Sequence, residues 1–300
     1  MSQFIIRKAA VLGAGMMGAQ IAAHLANAQI PVLLFDLPAA DLANAQLADT
    51  RKAANRNIEK AIAELSKRTP PPLAKPELSA YINAANYETD LAQLSDCDLV
   101  IEAITETMAL KEALYAKIVP FLSPSAVLAS NTSGLSIKRL AATLPEALQA
   151  RFCGVHFFNP PRYMHLVELI GHDANPPPLL DQLESWLVSH LGKGVVRAHD
   201  TPNFIANRVG IFSILATIHH TERLGLSFDL VDALTGKLIG RPTSATYRTA
   251  DLVGLDTLAH VIQTLHHSLP SKGEQADPWH RFYKLPNWFS ALISRGALGQ

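Results

Sequence analysis

Cysteine is almost missing from this chain. Cys97 and Cys153 are too few for a disulfide framework and fit a reducing compartment. Net charge is missing too. Twenty-six Lys and Arg balance twenty-six Asp and Glu, which excludes a global field that would attract nucleic acid or an anionic membrane. Any anionic ligand must therefore be held by a local arrangement. Nor is there a hydrophobic run approaching the ~20 residues that span a bilayer. The apolar stretches are interrupted by Gln20, His24 and Asn27, or end within Ile211–Ile218. The N-terminal stretch carries Arg7 and Lys8 in its middle, unlike a secretory leader, whose charges come first. A cytoplasmic protein without membrane or nucleic-acid partners is expected. Repeats and low-complexity tracts are absent as well.

The chain is 48% hydrophobic, ample for one large core or two moderate ones. Over its first two hundred residues, short apolar runs alternate with amphipathic segments. Strands are expected at Ala9–Leu12, Val32–Phe35, Leu99–Ile101, Val127–Ala129, Phe152–His156, Val167–Ile170 and Val195–Ala198. Most are continuous apolar runs, as parallel strands covered on both faces require. Helices are expected at Met17–Ala28, Leu42–Leu65, Leu110–Phe121, Ile137–Thr143 and Leu179–Leu191, and the alternation implies a doubly wound α/β sheet. Near His199 the pattern turns helical: Phe204–Leu224, Phe228–Lys237 and Asp256–Leu265, with Thr201-Pro202 expected to open the first of these. The expected domains are 1–199, a nucleotide-binding α/β domain, and 200–300, a smaller all-helical one.

Gly13-Ala14-Gly15-Met16-Met17-Gly18 follows the first strand and opens a helix. The glycines allow a tight turn, close approach of backbone to a pyrophosphate, and tight helix–strand packing, while the helix N-terminus offers N–H groups to the phosphates. Such a string alone is weak evidence, but Asp36 closes the next strand eighteen residues after Gly18. A carboxylate there accepts from both ribose hydroxyls and repels a 2′-phosphate, so a Rossmann-type domain that takes NAD rather than NADP is expected.

Four further polar spots sit at strand ends or at the start of the helical domain: Ser130–Ser133, His156–Pro160, Glu168 and Asn207-Arg208. In an open α/β sheet, loops beyond the strand C-termini line the ligand crevice. A hairpin-like turn through Pro160-Pro161-Arg162 would bring His156 beside Glu168. Ser133, His156 and Glu168 also mimic a hydrolase triad, but a nucleophile elbow would need Gly at 131 and 135, where Asn131 and Leu135 stand.

Taken in order, Gly13–Gly18, Val100–Ala103, Ser130–Ser133, His156–Pro160, Leu166–Glu168, Asp200–Arg208 and Asp251–Asp256 resemble the 3-hydroxyacyl-CoA dehydrogenase family over nearly the whole chain. Asn159–Met164 and Arg241–Thr246 look closest to bacterial bifunctional members, whose dehydrogenase precedes an enoyl-CoA hydratase domain. The resemblance implies oxidation of (3S)-3-hydroxyacyl-CoA with NAD, a step of fatty-acid β-oxidation. It makes His156 the general base, Glu168 its partner, and Ser133 and Asn207 donors to the reacting oxygen or to that pair. It assigns Glu106, Lys111 and Asn159, beside Gly13, Gly15, Met16, Met17, Gly18 and Asp36, to the cofactor. Ser133 has an alternative as a cap or turn residue before Ile137, and Asn207 as a helix residue with only a local bond.

The resemblance further implies an acyl-CoA substrate and a homodimer through the helical domain. The hairpin that contacts CoA in the family corresponds to Arg51, Lys52, Arg56, Lys60, Lys67 and Arg68 here, which also read as a solvated helix face. No metal is expected: neighbouring His219-His220 and His266-His267 point about 100° apart on a helix. Two departures stand out. His165 replaces a commoner Lys, and Gly296–Gln300 reads as the opening of a motif that continues in relatives, so a shortened chain is expected. Rival readings are a sugar-acid dehydrogenase of the L-gulonate type and a catalytically idle NAD-binding protein of the same fold.

Overall fold

The computed structural model describes residues 4–39, 47–273 and 276–299. They form two compact units, Met1–Asp200 and Thr201–Gln300.

The first unit is built on eight strands: β1 Ala9–Leu12, β2 Val32–Asp36, β3 Ile82–Asn86, β4 Leu99–Glu102, β5 Val127–Ser130, β6 Phe152–Phe157, β7 Leu166–Ile170 and β8 Gly194–Ala198. Their order is β3-β2-β1-β4-β5-β6-β7-β8. All neighbours are parallel except β6 and β7, which pair antiparallel. The helices of this unit are α1 Met16–Asn27, α2 Leu47–Glu64, α3 Met108–Ile118, α4 Ile137–Ala141, α5 Glu146–Gln149 and α6 Pro177–Leu191. The expected doubly wound sheet is borne out, and its apolar strands read as they do because every residue of β1 and β4 is buried. Order reverses between β1 and β4, so a crevice opens beyond their C-terminal ends.

β3 has no counterpart among the expected strands. Its sequence, Ile82-Asn83-Ala84-Ala85-Asn86, carries two amides and two small residues, so neither the continuous apolar run nor clean alternation marks it. As an edge strand it needs less apolar surface. Part of the helix expected from Leu42 lies outside the described residues.

The second unit holds α7 Ala206–Leu224, α8 Phe228–Thr235, α9 Tyr247–Val253, α10 Leu255–Ser268 and α11 Asn287–Ser294. Ile211, Leu215 and Ile218 of α7 pack with Leu258, Ile262 and Leu265 of α10, and with Tyr283 and Phe289. Thr201-Pro202 opens a turn, not the helix. The Phe204 amide donates to the Thr201 carbonyl at 2.9 Å, and Asn203 and Phe204 adopt φ of 58° and 51°, which a right-handed helix cannot contain. No helix among the described residues is long and apolar enough to cross a membrane.

Candidate active site

The glycine loop sits directly beyond β1. Gly13 has φ of 106°, and a Cβ there would lie 2.8 Å from the Ala103 carbonyl oxygen at the end of β4. A Cβ at Gly18 would lie 1.8 Å from the Gly13 carbonyl oxygen, so α1 can approach the loop this closely only without a side chain. A Cβ at Gly15 would meet nothing within 4 Å; it faces open space. No side chain caps the α1 N-terminus. Its partial positive charge is therefore left for an anion. Met16 is exposed, whereas Met17 packs against the core.

Beside this loop lies a cavity of about 410 Å³ lined by Gly13, Gly15, Asp36, Leu37, Tyr87 and Ile104, among others. Apolar walls with a carboxylate at one end suit an adenosine. The Asp36 carboxylate accepts from the Ala14 amide at 2.6 Å and the Leu37 amide at 2.7 Å, which fixes it at the β2 terminus. Among the described lining residues the one cation, Lys117, is paired with Glu88 at 2.6 Å. A 2′-phosphate would face Asp36 without a free counter-charge from that wall. The residues fit NAD.

Behind the crevice, Glu102 is fully buried and saturated with donors. Its Oε1 accepts from Lys111 Nζ at 2.6 Å and the Ile104 amide at 2.7 Å, and Oε2 accepts from Ser130 Oγ at 2.7 Å and Tyr115 OH at 3.1 Å. A buried carboxylate is tolerable when donors replace its water in this way. The Tyr115 phenol is pushed well upward, first by burial and then by Glu102. Glu106 extends the network outward. Its Oε1 accepts from Thr132 Oγ1 at 2.5 Å and from the amides of Ser133 and Gly134 at 2.9 and 3.0 Å. Lys111 Nζ lies 3.7 Å from its Oε2. Lys111 is thus enclosed beneath the loop that carries Ser133, while Glu106 fastens that loop.

On the same sheet, β6 and β7 bring His156 and Glu168 into register. His156 Nδ1 lies 2.7 Å from Glu168 Oε2, and both side chains are buried. The Phe158 ring stands 4.4 Å from the imidazole. Asn131 Oδ1 accepts from the Phe157 amide at 2.9 Å and so ties the Ser133 loop to the end of β6. Asn159 reaches back to the nucleotide loop: its Oδ1 accepts from Gln20 Nε2 at 3.1 Å, and its Nδ2 lies 3.7 Å from the Met16 sulfur.

Within the first unit, therefore, the fold gathers three groups. The glycine loop and Asp36 bound the cavity, Glu106 and Lys111 support Ser133, and His156 pairs with Glu168. Asn207 belongs to the second unit, in the first turn of α7, next to Arg208, which pairs with Asp277. Of the basic cluster, Arg56, Lys60, Lys67 and Arg68 are exposed, and Lys67 pairs with Glu64 at 2.7 Å. The side chains of Arg51 and Lys52 lie outside the described part. Sequence reasoning placed Asn131 in the Ser130–Ser133 spot without a role of its own, and missed Gln20, Tyr87 and the Glu102 network. Glu102 had a visible signal, an acid ending an apolar strand, but its partners come from three separate elements.

A Rossmann-type sheet with an acid-paired histidine near the nucleotide crevice, followed by a helical unit, defines a class of two-domain nicotinamide oxidoreductases. Residues 8–201 match the model of the 3-hydroxyacyl-CoA dehydrogenase NAD binding domain, and residues 204–299 match that of the C-terminal domain. The chain belongs to the 3-hydroxyacyl-CoA dehydrogenase family. It is 38% identical over 98% of its length to a probable 3-hydroxyacyl-CoA dehydrogenase of Bacillus subtilis, and it spans 37% of that protein. It is 40% identical over 98% of its length to a protein of the same description from Deinococcus radiodurans, of which it spans 80%. The solved (S)-3-hydroxybutyryl-CoA dehydrogenase PaaH1 from Ralstonia eutropha shares 27% identity, with a TM-score of 0.75 over 99% of this chain and 96% of that one.

Proposed function

We propose that this chain interconverts (3S)-3-hydroxyacyl-CoA and 3-oxoacyl-CoA in fatty-acid β-oxidation, with His156 as general base. The supporting observation is the 2.7 Å contact between His156 Nδ1 and Glu168 Oε2. Bound NAD supplies the hydride acceptor. A carbon releases hydride readily only while its hydroxyl loses a proton, so a base must face that hydroxyl. Nδ1 faces Glu168, and the proton-exchanging nitrogen in this reading is Nε2. Glu168 orients the ring and stabilises the imidazolium as it forms, the usual division of labour for an acid–histidine pair. Such a base contributes ~10²–10⁴-fold.

Ser133, held from below by Glu106, donates a hydrogen bond to the reacting oxygen or to the pair. Asp36, Gly13, Gly15, Met16, Met17, Gly18, Glu106 and Asn159 hold the cofactor, with Lys111 securing Glu106. The chain works as a homodimer through its helical unit, in the cytoplasm, where Cys97 and Cys153 stay as free thiols.

The experiment is a direct comparison of substrates. Acetoacetyl-CoA should drive NADH consumption, and L-gulonate with NAD should give none. Turnover of the sugar acid alone would refute the reading.

A further inference from the structure

Eight residues, 158–165, connect the two strands that carry His156 and Glu168. This is a long connection for an antiparallel pair, and its own bonding is slight: the amides of Tyr163 and Met164 both donate to the Pro160 carbonyl. Pro160 and Pro161 have no amide hydrogen to contribute. The strand pairing ends at Phe157 opposite Val167, one pair beyond His156 opposite Glu168. The catalytic pair therefore sits next to the end that would fray first.

Arg162 and Tyr163 tie the outer side of the connection to the Pro71 and Leu73 carbonyls, and beneath it stands a buried lysine from elsewhere in the chain. Helix α6 terminates at Gly192 in the left-handed conformation, the Lys193 amide returns to the Leu187 carbonyl, and the Gly194 amide joins the His165 carbonyl at 2.9 Å. That geometry turns the Lys193 side chain beneath the connection, where only 3% of the residue is exposed. Its Nζ donates to the Pro161 carbonyl, and to the Met164 carbonyl at 2.9 Å, and it stands 6.0 Å from the centre of the Phe157 ring. One ammonium thus touches the residue after His156 and both ends of the turn before β7. Among the described residues no carboxylate lies within ion-pair distance of it. Nearby on α1 stands the buried His24, whose pKa the Lys193 charge helps to lower, so this neighbour offers no counter-charge either. A buried cation with no counter-ion is a costly way to stabilise a fold. Its acceptors are all on the segment that aligns the catalytic pair.

We infer that Lys193 is a positioning residue for catalysis, an ammonium pin that holds the 158–165 connection so that His156 and Glu168 stay in register. The inference rests on the dehydrogenase reading for its kinetic consequence, but the geometry it predicts can be read without turnover. Loss of the pin takes this donor from the buried Pro161 carbonyl and the half-buried Met164 carbonyl and lets the strand ends part. A displacement near 1 Å at a catalytic base costs on the order of a hundredfold in rate.

The test compares Lys193→Met, which keeps the apolar stem and removes every donor, with Lys193→Arg, which keeps donors. Two quantities are measured: kcat with acetoacetyl-CoA and NADH, and the low-field proton NMR signal of the His156 Nδ1–Glu168 hydrogen bond. The expected result for Lys193→Met is a drop in kcat of between about tenfold and a hundredfold with loss of the low-field signal. NADH dissociation, followed by fluorescence, and circular dichroism should remain close to wild type, and Lys193→Arg should regain much of both. A folded Lys193→Met protein with wild-type kcat and an intact signal overturns the inference. Should Lys193→Met not fold, Lys193→Gln is judged by the same two quantities. A wild-type protein inert toward acetoacetyl-CoA but showing the signal would strike the function reading instead.

Discussion

His24 is a residue that the chemistry does not use and that its surroundings punish. It lies on α1 with both ring nitrogens buried and no side-chain partner among the described residues, edge-on to Phe157. Burial first, then the charge of Lys193, lowers its pKa from 6.5 to about 4. Between those two values the unfolded imidazole binds a proton that the folded one refuses, so stability falls as the pH drops through this window. The full penalty is roughly 3 kcal/mol, from 1.36 kcal/mol per pH unit. Urea denaturation at pH 7 and pH 4.5 should show His24→Leu losing less stability on acidification than wild type. Equal losses would mean that the imidazole is not held neutral. The cysteines behave in a similar way: burial pushes both thiols up to about 12, so an aromatic disulfide reagent should label Cys97 and Cys153 only after unfolding.

At the scale of elements, the close fit of α1 against the glycine loop has a sharp consequence. Gly18→Ala places a methyl 1.8 Å from the Gly13 carbonyl oxygen, a contact that only movement of backbone can relieve. The variant should melt several degrees lower and bind NADH at least about tenfold more weakly, since phosphate contact depends on the helix end. Calorimetry and a fluorescence titration decide this, and unchanged values in both would show that the loop is not packed this way. Elements buried on both faces were legible in the sequence because apolar continuity is what a covered parallel strand needs. β1 and α1 announced themselves through that pattern and the glycines. β3 did not, because an edge strand of Asn and Ala carries little apolar signal. The start of α7 was misplaced because Asn203 and Phe204 take left-handed conformations that their side chains do not advertise. In the candidate site, Asp36 and His156 drew notice from their place at the C-terminal ends of strands. The donors to Glu102 and the grip of Lys193 on the 158–165 connection could not be read from the sequence, because they join residues far apart in the chain through burial rather than periodicity.

At the scale of the molecule, each unit has its own core, and the helical one leaves much apolar surface uncovered. Val209, Leu224, Leu234, Leu238 and Ile239 are all exposed, Leu238 at 76%. Scattered singly they would need no explanation, but together on α7, α8 and the turn after it they form the kind of surface that subunits cover. In the homodimer we propose, sedimentation should report twice the chain mass, and Val209→Glu with Leu238→Glu should shift it toward the single chain. A wild-type protein sedimenting as one chain at micromolar concentration would remove the dimer from the account.

In the mechanism we propose, an imidazole steadied by Glu168 takes the substrate proton. The most direct measurement is turnover of acetoacetyl-CoA by His156→Gln alongside its dissociation constant for NADH. The predicted result is a loss of ~10²–10⁴-fold in kcat with NADH binding within a few-fold of wild type. Near-normal turnover, or loss of NADH binding in step with activity, would contradict it.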